Sequence, residues 1–397
     1  MATSDDDFTI TQEELDELKE FLSTQDLKSA ITTVKDYLEQ QDRVELNIGV
    51  TGESGSGKST FVNAFRGLED EEEGSATTGV VETTFEPEVY LHPKYNNVKV
   101  WDLPGIGTPS FKADEYLEQV QFERYDFFII IASDRFREYH TQLAKEIMRM
   151  GKKFYFVRSK IDISIAAEQR KKRFDQKKTL DIIREDCENG LRKIGIEDPV
   201  VFLISGWKLG KYDFTLLQER MEKELPQHKS RLLMLALLNI TLDINEKKKK
   251  VLEKDIRKVA FLSAVNDTVN LSDLRISVGF LTIIPELQKY CNAFGLDDPS
   301  LQKLCERSGK NIEEIKSLMK SYLHQGINES SVTKLLSECL FVNRTRLERV
   351  IMYIPIFGTV AGAALSFLAV SRLLKRALNE MAEDASKVLM ASLEAEI

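Results

Sequence analysis

The stretch that decides the fold is Gly52-Glu-Ser-Gly-Ser-Gly-Lys-Ser59, which matches the pattern G-x-x-x-x-G-K-[ST] without departure. An apolar run (46–50) precedes it and a helical pattern (60–65) follows it, as a phosphate-binding loop requires. Glycines let successive backbone N–H groups curl around phosphates, and the helix start adds positive potential. The pattern predicts Lys58 on the β- and γ-phosphates and Ser59 on Mg²⁺. The nucleotide-binding candidates here are Gly52, Gly55, Ser56, Gly57, Lys58 and Ser59.

Short apolar runs alternate with helical patterns through the first half of the chain, and this alternation indicates an α/β fold with a mostly parallel sheet covered on both faces. The predicted strands are 44–51, 97–102, 126–132, 153–158 and 199–204. From about residue 229 helical patterns dominate, and the run Lys247–Lys250 is interpreted as a solvated charge run.

We predict three segments. Residues 11–41 carry apolar side chains at helical spacing with a break at Ser23-Thr24, which indicates two short amphipathic helices. Residues 1–43 are therefore N-terminal helices, residues 44–228 form the nucleotide-binding domain, and residues 229–397 form a C-terminal helical domain.

Two further motifs follow predicted strands and indicate a guanine nucleotide. Asp102-Leu-Pro-Gly105 allows Asp102 to hold the Mg²⁺ shell and the Gly105 N–H to sense the γ-phosphate. In Ser159-Lys160-Ile-Asp162, the carboxylate of Asp162 can accept two guanine N–H groups while Lys160 covers the base, so GTP is favoured over ATP. Ser159 stands where Asn or Thr is usual, and we expect weaker bracing of the loop. Ser205-Gly206 is a weak match to the segment that closes the base pocket.

The segment between the phosphate loop and Asp102 is expected to act as a switch. A threonine just before the second strand completes Mg²⁺ coordination in GTPases; Thr84 is the choice by position and Thr78 is the rival. We interpret the acidic run 69–73 as a solvated loop rather than a metal site.

The water-positioning glutamine of Ras-like enzymes is missing, because Ile106 follows Gly105. Either hydrolysis is slow or another group supplies the function. Glu82 is the candidate, acting when the nucleotide domain of a second copy presses against the site. The catalytic candidates are Glu82, Lys58 and Gly105.

Composition limits the partners and the location. A net charge of −9 argues against nucleic acid as the main partner. The acidic start lacks a secretory signal, so we expect a cytoplasmic protein. The uncharged run 350–371 is long enough to span a bilayer, but Pro355 interrupts it. A buried core helix, reversible membrane contact and a true span remain open for this run.

With these motifs placed, the chain resembles the immunity-related GTPases, an interferon-inducible family. Lys58 resembles the Gly-Lys-Ser branch of that family, and the run 379–385 resembles its testis-associated cinema branch. The segments that carry the resemblance are 50–67, 78–84, 101–108, 125–130, 154–162, 212–214 and 294–301.

The resemblance implies a Ras-like G domain and an all-helical domain built from N- and C-terminal segments. It implies GTP or GDP as bound nucleotide, dimerisation through the G domains, self-assembly, and peripheral action at intracellular membranes in cell-autonomous innate defence. The alternative is a nucleotide-gated interaction protein with incidental hydrolysis. By likeness, the nucleotide contacts extend to Thr60, Thr78, Gly79, Lys160, Asp162, Ser205 and Gly206.

Overall fold

The computed structural model describes residues 27–79, 84–106, 112–269, 277–341 and 358–393. The chain divides into two compact units, of which Arg43–Leu238 is one, and Met1–Asp42 with Asn239–Ile397 is the other. The division falls after Leu238 rather than after residue 228. The reason is that the helix Gln227–Ala236 packs against two strands of the first unit's sheet.

The first unit alternates strands and helices, as expected for an α/β fold. Its strands are β1 (Leu46–Gly52), β2 (Glu88–His92), β3 (Tyr95–Asp102), β4 (Phe127–Ala132), β5 (Lys153–Arg158) and β6 (Val201–Leu203). The helix Leu27–Arg43 is labelled α1 and is described with the second unit. The helices of the first unit are α2 (Lys58–Arg66), α3 (Ala113–Gln119), α4 (Glu138–Arg149), α5 (Ile161–Glu168), α6 (Gln176–Arg192), α7 (Phe214–Glu224) and α8 (Gln227–Ala236). Short 3₁₀ turns lie at Phe122–Arg124 and Leu209–Lys211.

The six strands form one sheet in the order β2-β3-β1-β4-β5-β6. All neighbours are parallel except β2 and β3. Every residue of β4 is buried, because helices cover both faces of the central strands. The predicted α/β fold with a mostly parallel sheet is confirmed. The edge strand β2 was not predicted from the sequence. Its aliphatic residues Val89 and Leu91 are exposed and lie within a short polar stretch, so they form no long apolar run.

The second unit is helical in its described part. It contains α1, α9 (Leu242–Val269), α10 (Ser277–Phe294), α11 (Asp298–Ser308), α12 (Ile312–Ser317), a 3₁₀ turn (Tyr322–Gln325), α13 (Glu329–Phe341) and α14 (Gly358–Leu393). Helices α9, α10 and α14 pack against one another around buried aliphatic side chains. The helix α1 corresponds to the second of the two amphipathic helices predicted before β1, and the first lies outside the described residues.

The interpretation of Lys247–Lys250 as a fully solvated run is wrong. Lys248 is 1% exposed, and its Nζ donates to the carbonyl oxygen of Ala293 at 2.6 Å. The side chain lies on the buried stripe of α9, between Ile244 and Leu252, since residues four apart share one helix face. The ammonium therefore binds a carbonyl at the end of α10 instead of water.

The apolar run 350–371 is described only in part. Residues 350–357 lie outside the described ranges, and α14 begins at Gly358. Within α14, Phe367, Leu368 and Val370 are buried. Of the helices that the structure describes, none combines the length and the apolar character needed to cross a bilayer.

A buried carboxylate holds the end of α14 to the segment between α12 and the 3₁₀ turn. Asp384 is 0% exposed and accepts hydrogen bonds from the backbone N–H groups of Lys320 at 2.8 Å and Ser321 at 2.9 Å. Replacing Asp384 with Ala leaves one buried and one partly buried N–H donor without this acceptor. We expect Asp384→Ala to lower the free energy of unfolding by about 2–4 kcal/mol, measured by urea denaturation followed by circular dichroism.

The matched control is Glu383→Ala. Glu383 faces Lys320 at 3.6 Å in an exposed ion pair, and such pairs contribute little. A loss of the same size in both variants would contradict the anchoring role of Asp384.

Candidate nucleotide site

The phosphate-loop motif lies between β1 and α2, as its spacing predicts. Gly52 has φ of +149°, and a Cβ there would lie 2.0 Å from the carbonyl oxygen of Ile131. Gly55 and Gly57 have φ of +73° and +90°, in the left-handed region that favours glycine. Gly57 is the N-cap of α2, and its carbonyl accepts from the N–H of Phe61 at 2.9 Å. The local sequence therefore produces the turn that a phosphate needs.

Lys58 is held inside this loop. It is 8% exposed, and its Nζ donates to the carbonyl oxygen of Glu53 at 3.2 Å. The same carbonyl accepts from the N–H of Ser56 at 3.1 Å. The ammonium is thus positioned over the loop by the loop's own backbone, at the start of a helix whose N-terminus attracts anions.

Asp102 gathers two hydroxyl groups at the end of β3. Its Oδ2 accepts from Ser59 Oγ at 2.6 Å and from Thr84 Oγ1 at 3.2 Å, and the residue is 1% exposed. Its Oδ1 is buried without a hydrogen-bond partner in the described part of the chain. Burial raises the pKa of Asp102, although the hydrogen bond from Ser59 and the charge of Lys58 oppose that rise.

This cluster fits a magnesium ion. Two hydroxyls and a carboxylate converge, and hard oxygen ligands are those that Mg²⁺ prefers. The carboxylate oxygen of Asp102 without a partner is an available acceptor for metal-bound water. Thr78, the rival switch threonine, is half-buried, and no hydrogen bond joins it to Asp102 among the residues described.

The segment predicted to recognise guanine contacts the phosphate loop through Ser159 and Lys160. Lys160 has φ of +54° and its Nζ donates to the carbonyl oxygen of Gly55 at 2.7 Å. Asp162 is half-buried in the first turn of α5. Weak bracing was expected from Ser159, but its hydroxyl donates to the carbonyl oxygen of Ser56 at 2.6 Å. Serine thus provides the brace despite departing from the usual residue.

The Ser205-Gly206 turn also reaches the site. Ser205 is 1% exposed, and its hydroxyl accepts from the N–H of Lys208 at 3.2 Å. A Cβ on Gly206 would lie 2.9 Å from the methyl group of Thr60, so the turn lies directly against the first turn of α2. The turn follows β6, as the weak sequence match suggested.

The turn after Asp102 is fixed by backbone contacts and one tyrosine. The N–H of Ile106 donates to the carbonyl oxygen of Gly52 at 2.9 Å, and its side chain is 3% exposed in the core. The hydroxyl of Tyr116 donates to the carbonyl oxygen of Pro104 at 3.0 Å and also pairs with Thr51 Oγ1 at 2.8 Å. A buried Ile106 cannot orient water. The preceding Gly105 is half-buried.

The predicted catalytic Glu82 lies in residues 80–83, outside the described ranges. The segment before it is anchored by two residues of α2 that sequence reasoning missed. Asn63 accepts from the N–H of Ala76 at 2.6 Å and donates to Asp70 at 2.9 Å. Arg66 donates to the carbonyl oxygen of Gly74 at 3.0 Å. Both are polar residues on a buried helix face, and this placement is the feature that indicates a role in anchoring a neighbouring segment.

The acidic run 69–73 belongs to this anchored segment. Among the described residues, no cluster of three or more histidine, cysteine, aspartate or glutamate side chains is arranged to hold a metal ion. The exposed Gly79 ends the described part of the segment. The phosphate loop, Asp102, the segment 159–162 and the Ser205-Gly206 turn follow the carboxyl ends of β1, β3, β5 and β6, where α/β sheets bind ligands.

Comparison with known proteins agrees with this geometry. The family model described as "Interferon-inducible GTPase (IIGP)" matches residues 11–392. "Interferon-inducible GTPase 5" of Bos taurus is 41% identical over 390 residues, covering 98% of this chain and 84% of the relative. Its counterpart of the same name in Rattus norvegicus is 39% identical over 398 residues, covering 99% and 86%.

A mouse relative gives the same result. "Interferon-inducible GTPase 1" of Mus musculus is 38% identical over 314 residues, covering 79% of this chain and 76% of the relative. The resemblance inferred from the motifs is confirmed. The chain belongs to the interferon-inducible, immunity-related GTPase family, and it is a GTPase that binds guanine nucleotide.

Proposed function

We propose that this GTPase hydrolyses GTP with Mg²⁺ held by Ser59, Thr84 and Asp102, and that its activity rises when copies assemble through their G domains. The observation that carries the metal assignment is the convergence of the two hydroxyls on the buried Asp102 carboxylate. When bound, Mg²⁺ neutralises charge that develops on the β- and γ-phosphate oxygens.

The chain's own residues supply the remaining steps. The loop N–H groups between Gly52 and Ser59 bind phosphate oxygens. Lys58 Nζ, which donates to the Glu53 carbonyl oxygen in this structure, donates to the phosphate oxygens instead when nucleotide is bound. Asp162 accepts the guanine N–H groups and Lys160 covers the base, while Ser205 and Gly206 close the pocket. The contacts of the neighbouring Ser159 and Lys160 with the phosphate loop support this assignment.

The mechanism also needs a group that orients the attacking water. The buried Ile106 leaves no side chain to orient water at the position that Ras-like enzymes use. We assign this role to Glu82, in a switch segment that a second G domain would press against the nucleotide. A GTPase with an incomplete site in the single copy is expected to be slow until it assembles.

The cellular role in this proposal follows the family. The names of the relatives describe interferon-inducible GTPases, and the resemblance implies peripheral action at intracellular membranes in cell-autonomous innate defence. The alternative is a nucleotide-gated interaction protein whose hydrolysis is incidental. The buried Ile106 is the observation that favours this alternative.

The two functions differ in how turnover depends on protein concentration. We expect GTP turnover per molecule to rise together with light scattering across about a hundredfold range of protein concentration, because assembly follows mass action. Steady-state phosphate release and light scattering measured on the same samples provide the test.

Glu82→Ala is the matched variant for this experiment. It is expected to abolish the increase in turnover while nucleotide affinity survives. Flat, low turnover at every concentration would support the interaction protein, and an unchanged increase in Glu82→Ala would reject the role of Glu82.

A second prediction concerns base recognition. Asp162→Asn replaces a carboxylate that accepts two N–H groups with an amide that also donates. We expect the affinity for GDP to fall by about a hundredfold or more and the affinity for xanthosine diphosphate to rise, because xanthine has an oxygen where guanine has an amino group.

Titration calorimetry with both nucleotides provides the measurement. Asp181→Asn, at an exposed position of α6, is the control and should leave both affinities unchanged. Retention of GDP preference in Asp162→Asn would contradict the assignment of Asp162.

A further inference from the structure

An acidic residue stands inside the phosphate-binding loop, where a negative charge would repel the ligand. Glu53 follows Gly52 directly, and its side chain is 12% exposed. Its carboxylate is engaged by the segment between β4 and α4. Oε1 accepts from the N–H of Ser133 at 3.2 Å, and Oε2 accepts from the hydroxyl of Tyr139.

These contacts stabilise the charged form of the carboxylate. Burial by itself would raise the pKa of Glu53, but the hydrogen bonds from Tyr139 and Ser133 bring it below the usual value. Arg137 lies 4.0 Å from the carboxylate. Glu53 is therefore an ionised group whose hydrogen-bonding capacity is directed into the protein.

The tyrosine at the other end of the contact is itself held in place. The ring of His140 packs edge-to-face on Tyr139, with centroids 4.5 Å apart, and on Phe156 at 5.6 Å. His140 Nδ1 accepts from the N–H of Arg137 at 3.2 Å, which closes the first turn of α4. Burial lowers the pKa of His140 to about 4, so this ring is neutral at physiological pH.

The backbone of Glu53 links this contact to the phosphate site. Its carbonyl accepts from both Ser56 N–H and Lys58 Nζ. The loop also carries left-handed glycines at positions 55 and 57, which permit many backbone conformations. A contact that holds a loop in its binding conformation increases affinity, because less ordering is needed on binding.

Two other side chains fasten the same loop from the guanine side. They are Ser159, through the carbonyl of Ser56, and Lys160, through the carbonyl of Gly55. Glu53 fastens it through a separate set of contacts, to residues 80 and 86 positions away in sequence. The loop is thus held by both the base-recognition segment and the start of α4.

We propose that Glu53 is a positioning residue for the phosphate loop, acting through a latch formed by its carboxylate with Tyr139 and Ser133. The latch keeps the loop in its phosphate-receptive form and slows release of the bound nucleotide. This inference rests on guanine nucleotide binding at the loop, as assigned above, and concerns contacts within one chain.

The test is the dissociation rate of fluorescently labelled GDP from the full chain, measured by stopped flow with excess unlabelled GDP. We expect Tyr139→Phe and Glu53→Ala each to accelerate release by about tenfold, the scale of one hydrogen bond to a charged group. Glu53→Gln should recover most of the loss, because its amide can accept from Ser133 and donate to the Tyr139 oxygen.

The matched control is Tyr155→Phe. Tyr155 also donates to a glutamate, Glu224, at 3.2 Å, but on β5 away from the loop. It should release GDP at the wild-type rate. The double variant Glu53→Ala/Tyr139→Phe should release GDP about as fast as Glu53→Ala alone, since that variant already lacks the contact with Tyr139.

Several results would overturn the latch. These are wild-type release from Tyr139→Phe, equal acceleration by Tyr155→Phe, multiplied effects in the double variant, or no recovery in Glu53→Gln. Thermal unfolding of each variant distinguishes a general loss of stability from loss of the latch. A general loss would lower the unfolding midpoint without producing the expected order of GDP release rates. If Tyr139→Phe does not fold, the comparison of Glu53→Ala with Glu53→Gln decides alone. Failure of the wild-type chain to bind GDP would instead reject the nucleotide site itself.

Discussion

The site depends on one buried carboxylate, that of Asp102 at the end of β3. A charge at 1% exposure is costly unless it is paired, and here two hydroxyls from different segments satisfy one of its oxygens. Ser59 comes from the helix that follows the phosphate loop, and Thr84 comes from the switch segment. The pairing of β1 with β3 places Asp102 opposite Val50 and so brings the carboxylate to the loop.

The remaining contacts prepare the loop around this carboxylate. Lys58 is held by a loop carbonyl, and the loop is fastened by two sets of side-chain contacts, those of Glu53 and that of Ser159. Preorganisation of this kind lowers the ordering cost of binding. Among the described residues, the position after Gly105 offers no side chain that can orient water, since Ile106 is buried. The contacts described here therefore concern binding of the nucleotide rather than its hydrolysis.

The local parts of this arrangement could be predicted from sequence, because strand, loop and helix signals are contiguous in the phosphate loop. Contacts between distant segments could not. The partners of Glu53 lie 80 and 86 residues away, and nothing in their own segment marks them. Lys248 is an intermediate case: its four-residue spacing from Ile244 and Leu252 placed it on the buried face, but four successive lysines suggested solvent. Ser159 shows that a residue departing from a motif can still make the motif's contact.

The most direct test of Asp102 as the centre of the site is the effect of Mg²⁺ on affinity for a non-hydrolysable GTP analogue. Titration calorimetry would compare the wild type with Asp102→Asn, each with Mg²⁺ and with a chelator. The account predicts that Mg²⁺ strengthens wild-type binding by about a hundredfold and that this gain is largely lost in Asp102→Asn, while both bind alike in the chelator. An equal Mg²⁺ gain in both proteins would contradict it.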